Sequence, residues 1–222
     1  MLTNHRRALV LAICCLSGAA LIGVLLAVPS TKDGLQHLDD AVYRATSKIR
    51  SSPLTWVAKA FDLLGGVWVN WPLRAAAGLL LACRRRWVQL TAFAAAVASS
   101  EYLIGKLKAG YARPRPPHAL VSTSGFSFPS GHAVASAVTA VGLVIVLVAP
   151  GPRRWIWQLR AVVFAFLMAL SRVYLDAHWL SDVVAGALLG GGLTIGWPAV
   201  LQAAGGAREQ VVTPAGMGER WP

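Results

Sequence analysis

Acidic side chains are scarce in this sequence: nine Asp and Glu stand against twenty-one Lys and Arg, a formal charge of +12. Charge of either sign is itself rare, at 14% of 222 residues. Cysteine is rarer still. Cys14, Cys15 and Cys83 lie in or at the end of apolar runs, which excludes a disulfide framework and a cysteine-based metal site. No long repeat and no low-complexity tract is present, which excludes a repeat array. What is abundant is apolar: 56% of residues are hydrophobic and the mean hydropathy is +0.56. A soluble domain of this size does not need so much apolar surface, and several uncharged stretches of spanning length indicate a polytopic membrane protein. The basic surplus is scattered in clusters between apolar runs, as in cytoplasmic loops, which points away from a nucleic-acid partner and toward a lipid bilayer.

The apolar runs predict an all-α fold of six transmembrane helices in a single domain, residues 1–222. They are Ala8 to Val28, Gly65 to Cys83, Trp87 to Gly105, Ala133 to Ala149, Trp155 to about Leu170, and Val183 to about Leu201. The first follows His5-Arg6-Arg7 and is longer than the roughly 7–15-residue core of a signal peptide. The second is the least clean, with Pro72 interrupting it and Asn70 and Arg74 inside, so Arg74 must snorkel or face protein. In residues 30–64, Leu35, Leu38, Val42 and Ile49 keep helical spacing with Asp39, Asp40, Arg44 and Lys48 between them, as in a helix lying in the outer interface. Gly186 and Gly190, and Gly192 and Gly196, have the four-residue spacing of close helix packing. A polar tail, residues 202–222, is expected in the cytoplasm.

With the N-terminus inside, Arg84–Arg86 and Arg153-Arg154 fall in the cytoplasm, as the charge rule requires. Residues 106–131 and 171–182 then share the outer side, where Lys106, Lys108, Arg113 and Arg115 break the rule. Binding of a multiply charged anion is a sufficient cause. On that side Ser130 and Gly131 precede a span, where a helix start offers N–H groups and positive dipole to a phosphate, and Gly131 permits close approach. His178 and Asp182 are four residues apart, a spacing that on a helix lets the carboxylate fix the imidazole tautomer. Each feature alone has a plainer explanation: a helix cap, a surface ion pair, headgroup attraction. Together, two histidines, a carboxylate, cations and a helix start make the set that phosphoryl transfer needs at the outer membrane–water interface. A metal site built from His132, His178 and Asp182 is disfavoured, because Lys106, Arg113 and Arg172 would repel the cation.

Three signatures occur in order: Lys-x6-Arg-Pro at Lys106, Arg113 and Pro114; Pro-Ser-Gly-His at Pro129 to His132; and Ser-Arg-x5-His-x3-Asp at Ser171, Arg172, His178 and Asp182. This pattern resembles the type 2 phosphatidic acid phosphatase (PAP2) superfamily, which also includes bacterial undecaprenyl-diphosphate phosphatases, glucose-6-phosphatase and the vanadium haloperoxidases. The resemblance covers about residues 65–200. It implies a membrane lipid phosphatase acting on a polyprenyl diphosphate, phosphatidic acid or phosphatidylglycerol phosphate. His178 resembles the nucleophile that becomes a phosphohistidine, Asp182 the carboxylate that orients it, and His132 the general acid that later serves as base for water. Lys106, Arg113, Ser130, Gly131 and Arg172 resemble the phosphate cradle, while Lys108 and Arg115 lie outside the signature. No metal and no cofactor is implied. A phosphotransferase using the same phosphohistidine is the alternative. A haloperoxidase disagrees with six spans, and a transporter or relict binding protein disagrees with an intact set of His132, His178 and Asp182.

Overall fold

An apolar segment satisfies its own backbone most simply as a helix, and each of the six apolar runs is helical over most of its length. The computed structural model describes residues 4–212, with side chains described to residue 205. Among these residues all regular structure is helical: α1 (His5–Ala27), α2 (Pro29–Lys48), α3 (Ser52–Gly65), α4 (Val67–Cys83), α5 (Trp87–Tyr111), α6 (Gly131–Ser136), a π-helical turn (Ala137–Val141), α7 (Gly142–Leu147), α8 (Arg154–Tyr174) and α9 (Leu180–Val212). Three helices, His5–Ala27, Arg154–Tyr174 and Leu180–Gly205, are long and apolar enough to cross a membrane, and Val67–Cys83 and Gly131–Leu147 are shorter apolar helices.

Helix α9 is the central post. Gly192 and Gly196 face α1, where a Cβ on Gly192 would come within 2.7 Å of Leu16. On the α6 side a Cβ on Gly190 would lie 2.6 Å from the carbonyl oxygen of Val134, so only glycine permits that approach. Beneath the site, Ala133, Ala169, Val173 and Val183 pack α6, α8 and α9 together, with Val42 of α2 against them.

Four expectations change. Pro72 does not interrupt α4, which runs unbroken from Val67 to Cys83. The run from Ala133 to Ala149 is not one regular helix, because the π-helical turn divides it. The tail begins later than residue 202, since α9 continues to Val212, and residues 213–222 lie outside the described residues. Asp39, expected among the polar residues of an interfacial helix, is buried, because a cation from another part of the chain meets it there. Arg74 does face protein: its Nε donates to Thr139 of the π-helical turn at 2.9 Å and its Nη1 to Glu101 at 2.7 Å.

Candidate active site

His178 lies in the short link between α8 and α9, one turn before Asp182 in the first turn of α9. The helix does not contain both residues, but its start joins them. Oδ2 of Asp182 accepts from the backbone N–H of Trp179 at 3.0 Å, the reciprocal half of a capping box. The same oxygen lies 3.7 Å from His178 Nδ1. The helix cap and the histidine partner are therefore one carboxylate. Ser127, fully buried, donates its hydroxyl to Oδ2 of Asp182 and lies 3.4 Å from His178 Nδ1.

Arg115 settles the tautomer. Its Nη1 is 3.1 Å from His178 Nε2. A guanidinium only donates, so Nε2 accepts and Nδ1 carries the proton, facing Asp182 and Ser127. Burial pushes the imidazole pKa down to about 4, helped by the charges of Arg115 and Lys108 and opposed by Asp182. The ring is thus neutral at ordinary pH, with the Nε2 lone pair directed at a cation, the state a nucleophile requires.

Lys106 and Arg113, both expected in the cradle, have other partners in the structure. Lys106 is exposed and stands 5.7 Å over the ring of Tyr102. Arg113 is buried and bonded throughout: Nη1 donates to Asp182 Oδ1 and Ser181 Oγ, each at 2.7 Å, and Nη2 to Asp39 Oδ2 at 2.7 Å and Gln36 Oε1 at 2.8 Å. It braces Asp182 from behind. The residues that reach the His178 side are Lys108 and Arg115. The stretch from Lys106 to Pro116 carries Lys-x6-Arg-Pro twice, once from Lys106 and again from Lys108. That repeat is the signal sequence reasoning passes over. On a helix, residues two apart point roughly 200° away from one another, so only one lysine faces inward. Lys108 does, donating to the carbonyl of Phe126. Arg115 Nη1 donates to Ala177 O at 2.6 Å, its Nη2 to Ser124 O at 2.8 Å, and its Nε to Gly125 O at 3.0 Å.

The Pro-Ser-Gly-His turn closes the other side. Ser130 is fully buried: its N–H donates to Asp182 O at 3.0 Å and its hydroxyl caps α6 at Ala133 N, so it shapes the turn. Gly131 has nothing within 4 Å of a built Cβ, leaving the space before its backbone open. His132, with a quarter of its side chain exposed, borders a cavity of about 220 Å³ shared with Gly131, Arg74, Glu101 and Trp71. Arg172 is buried, and its Nη1 donates to Asp62 of α3. Asp62 also meets His132 Nε2, through Oδ1 at 3.3 Å and its carbonyl oxygen at 3.2 Å. Arg172 and Arg115 are near enough for the charge of Arg172, after burial, to lower the pKa of Arg115. His178 and Arg115 are thus in contact on one side, and Arg172, Asp62 and His132 form a connected group on the other. Among the described residues no group of three or more His, Cys, Asp or Glu side chains is arranged to hold a metal ion.

The family model described as the PAP2 superfamily matches residues 89–205. Phosphatidylglycerophosphatase B of Bacillus subtilis (strain 168) is 33% identical over 174 residues, 75% of this chain and 85% of that protein. Decaprenylphosphoryl-5-phosphoribose phosphatase of Mycobacterium tuberculosis is 30% identical over 158 residues, 69% of this chain and 81% of that one. Among solved structures, a transmembrane PAP2-type phosphatidylglycerolphosphate phosphatase from Bacillus subtilis superposes with a TM-score of 0.70 at 27% identity, covering 90% of this chain and 96% of the other.

Proposed function

This chain belongs to the PAP2 superfamily, and we propose that it is an integral membrane phosphatase that hydrolyses a lipid phosphate through a phosphohistidine on His178. The observation that carries the reading is the contact of Arg115 Nη1 with His178 Nε2 at 3.1 Å. It puts a phosphate-binding cation and the nucleophilic lone pair on the same spot. A substrate phosphate that takes the N–H groups of Arg115 and Arg172, the ammonium of Lys108 and the amide of Gly131 leaves Nε2 facing phosphorus.

In the first step Nε2 attacks, the bond from phosphorus to the leaving oxygen breaks, and His132 as imidazolium gives that oxygen its proton. The Nδ1 proton of His178 stays on the ring, and Asp182 balances the positive charge the ring acquires. In the second step water attacks phosphorus, the P–N bond breaks and His132 takes the water proton, releasing inorganic phosphate. The charge on phosphorus is met by three side-chain cations, so the steps require no metal.

Six helical passes, with α6, the π-helical turn and α7 as one of them, account for the apolar runs. With Arg84–Arg86 and Arg153-Arg154 kept in the cytoplasm by the charge rule, the N-terminus lies inside and α2, α3 and the active site at the outer interface. The lipid reaches the site sideways from the outer leaflet. Phosphatidylglycerol phosphate is the first substrate to offer, since the similar proteins of Bacillus subtilis carry its name; phosphatidic acid and a polyprenyl diphosphate follow. Detergent-purified protein releases phosphate from at least one of them in excess EDTA, and His178→Ala abolishes release. Loss of all activity in EDTA, or activity surviving in His178→Ala, overturns the mechanism. Phosphate that appears only with an added acceptor makes the protein a phosphotransferase. For topology, a cysteine placed in loop 116–124 of a chain lacking Cys14, Cys15 and Cys83 reacts with an impermeant reagent on intact cells. Protection there inverts the orientation.

A further inference from the structure

The second histidine also has a carboxylate, and it comes from a helix that carries no signature residue. Nε2 of His132 faces two acceptors of one residue, Asp62 Oδ1 at 3.3 Å and Asp62 O at 3.2 Å. Two acceptors at one nitrogen require that nitrogen to hold a hydrogen, so in the neutral ring the proton sits on Nε2 and Nδ1 is the atom that takes up and gives away protons. The ring is fixed from a further side: a Cβ on Gly65, three residues after Asp62, would come within 2.5 Å of His132 Cδ2. The same Oδ1 accepts from Arg172 Nη1. The hydrogen bond to His132 is the first cause that keeps the Asp62 carboxyl below its usual range, with burial opposing and the charge of Arg172 assisting. The other charged groups around His132 are Arg74 of α4 and Glu101 of α5, which are paired with one another across the cavity beside it.

We propose that Asp62 is the positioning residue of the general acid: it fixes the His132 tautomer, keeps a carboxylate against the ring while the proton moves, and holds Arg172 until a substrate phosphate displaces it. The proposal rests on the proton-transfer role given to His132 above. It makes the two halves of the site alike in design, each histidine being oriented by a carboxylate, with Asp182 serving one and Asp62 the other. The two functions of Asp62 also pull in opposite directions. A carboxylate on Arg172 competes with phosphate, whereas a carboxylate on His132 speeds departure of a poor leaving group.

That opposition supplies the test. In Asp62→Asn the amide oxygen still accepts from Nε2, but the charge is gone. With full-length protein in detergent, first-turnover release of the lipid alcohol from an alkyl phosphomonoester such as phosphatidic acid falls about 10²-fold, the lower end of a general-acid contribution. First-turnover release of p-nitrophenolate from p-nitrophenyl phosphate, which departs without a proton, changes less than about threefold. Inhibition by inorganic phosphate tightens, because Arg172 is freed. His132→Ala is run in parallel. If it lacks the leaving-group dependence, the acid role of His132 fails and the reading beneath the proposal with it. If His132→Ala has the dependence and Asp62→Asn slows both substrates equally, Asp62 is structural and the proposal is overturned. Asp62→Glu, which keeps the charge, restores lipid turnover toward the parent; a loss as deep as that of Asp62→Asn overturns the proposal even where the asparagine variant folds poorly.

Discussion

Arg113 and Arg115 stand two residues apart and end in opposite surroundings. Around Arg113 the partners are Asp39, Asp182, Ser181 and Gln36, so its charge is neutralised within the protein. Around Arg115 they are backbone carbonyls and the ring of His178, and among the described residues no carboxylate bonds it. A guanidinium between two carboxylates is a brace, whereas one held by neutral dipoles keeps its charge for an arriving anion. The comparison teaches that Lys-x6-Arg-Pro names a chemistry without naming its register. When the pattern occurs twice, the arginine of one copy stands against His178 and that of the other is tied to the carboxylates of Asp39 and Asp182.

The sharpest way to separate the two is to remove each guanidinium. Arg113→Ala leaves Asp39 and Asp182 buried without their cation, and the expected loss is about 3–5 kcal/mol of stability, read as a lower thermal unfolding midpoint in detergent. Arg115→Ala removes a charge that acts on the reacting group, and first-turnover phosphoryl transfer falls about 10²–10³-fold with the unfolding midpoint little changed. If Arg113→Ala unfolds normally and loses only activity, while Arg115→Ala unfolds early, the assignment is reversed.

The two lysines extend the contrast to smaller effects. Burial, and then the charge of Arg115, push the pKa of Lys108 down to about 8. Its ammonium loses the proton as the pH rises through that value, so KM for the lipid phosphate climbs on the alkaline side. Lys108→Arg keeps the charge and moves the climb to higher pH. An unchanged KM–pH profile in that variant would remove Lys108 from phosphate binding. Lys106→Ala, at an exposed position, changes kcat/KM by less than about twofold; a larger drop restores the first register and breaks the comparison.

Much of this architecture is legible in the chain. The apolar runs give helices because an apolar segment closes its hydrogen bonds within itself. The glycine pairs of α9 lie where the spacing puts them, against α1 and α6. His178 and Asp182 come together although His178 precedes the helix, since a capping carboxylate reaches back to the link where the ring stands. The supporting residues were not legible. Asp39, Asp62 and Arg50 lie in a segment without signature, yet each pairs with a residue close to the site. Asp39 meets Arg113 and Ser181, Asp62 meets Arg172 and His132, and Arg50 meets Asp176. These partners are separated by 70 to 142 residues in sequence. No local periodicity records such a pairing.

The sequence by itself determined that the chain is helical and apolar, and that it carries phosphoryl-transfer chemistry in three ordered signatures. Hydropathy and short spacings are local properties, and they survive being read in one dimension. Only the tertiary structure decided which lysine and which arginine of the doubled motif face His178, and which of nine acids serve the site. Charges interact through the distance between them in space, and that distance exists only once α2 and α3 have packed beside α6, α8 and α9.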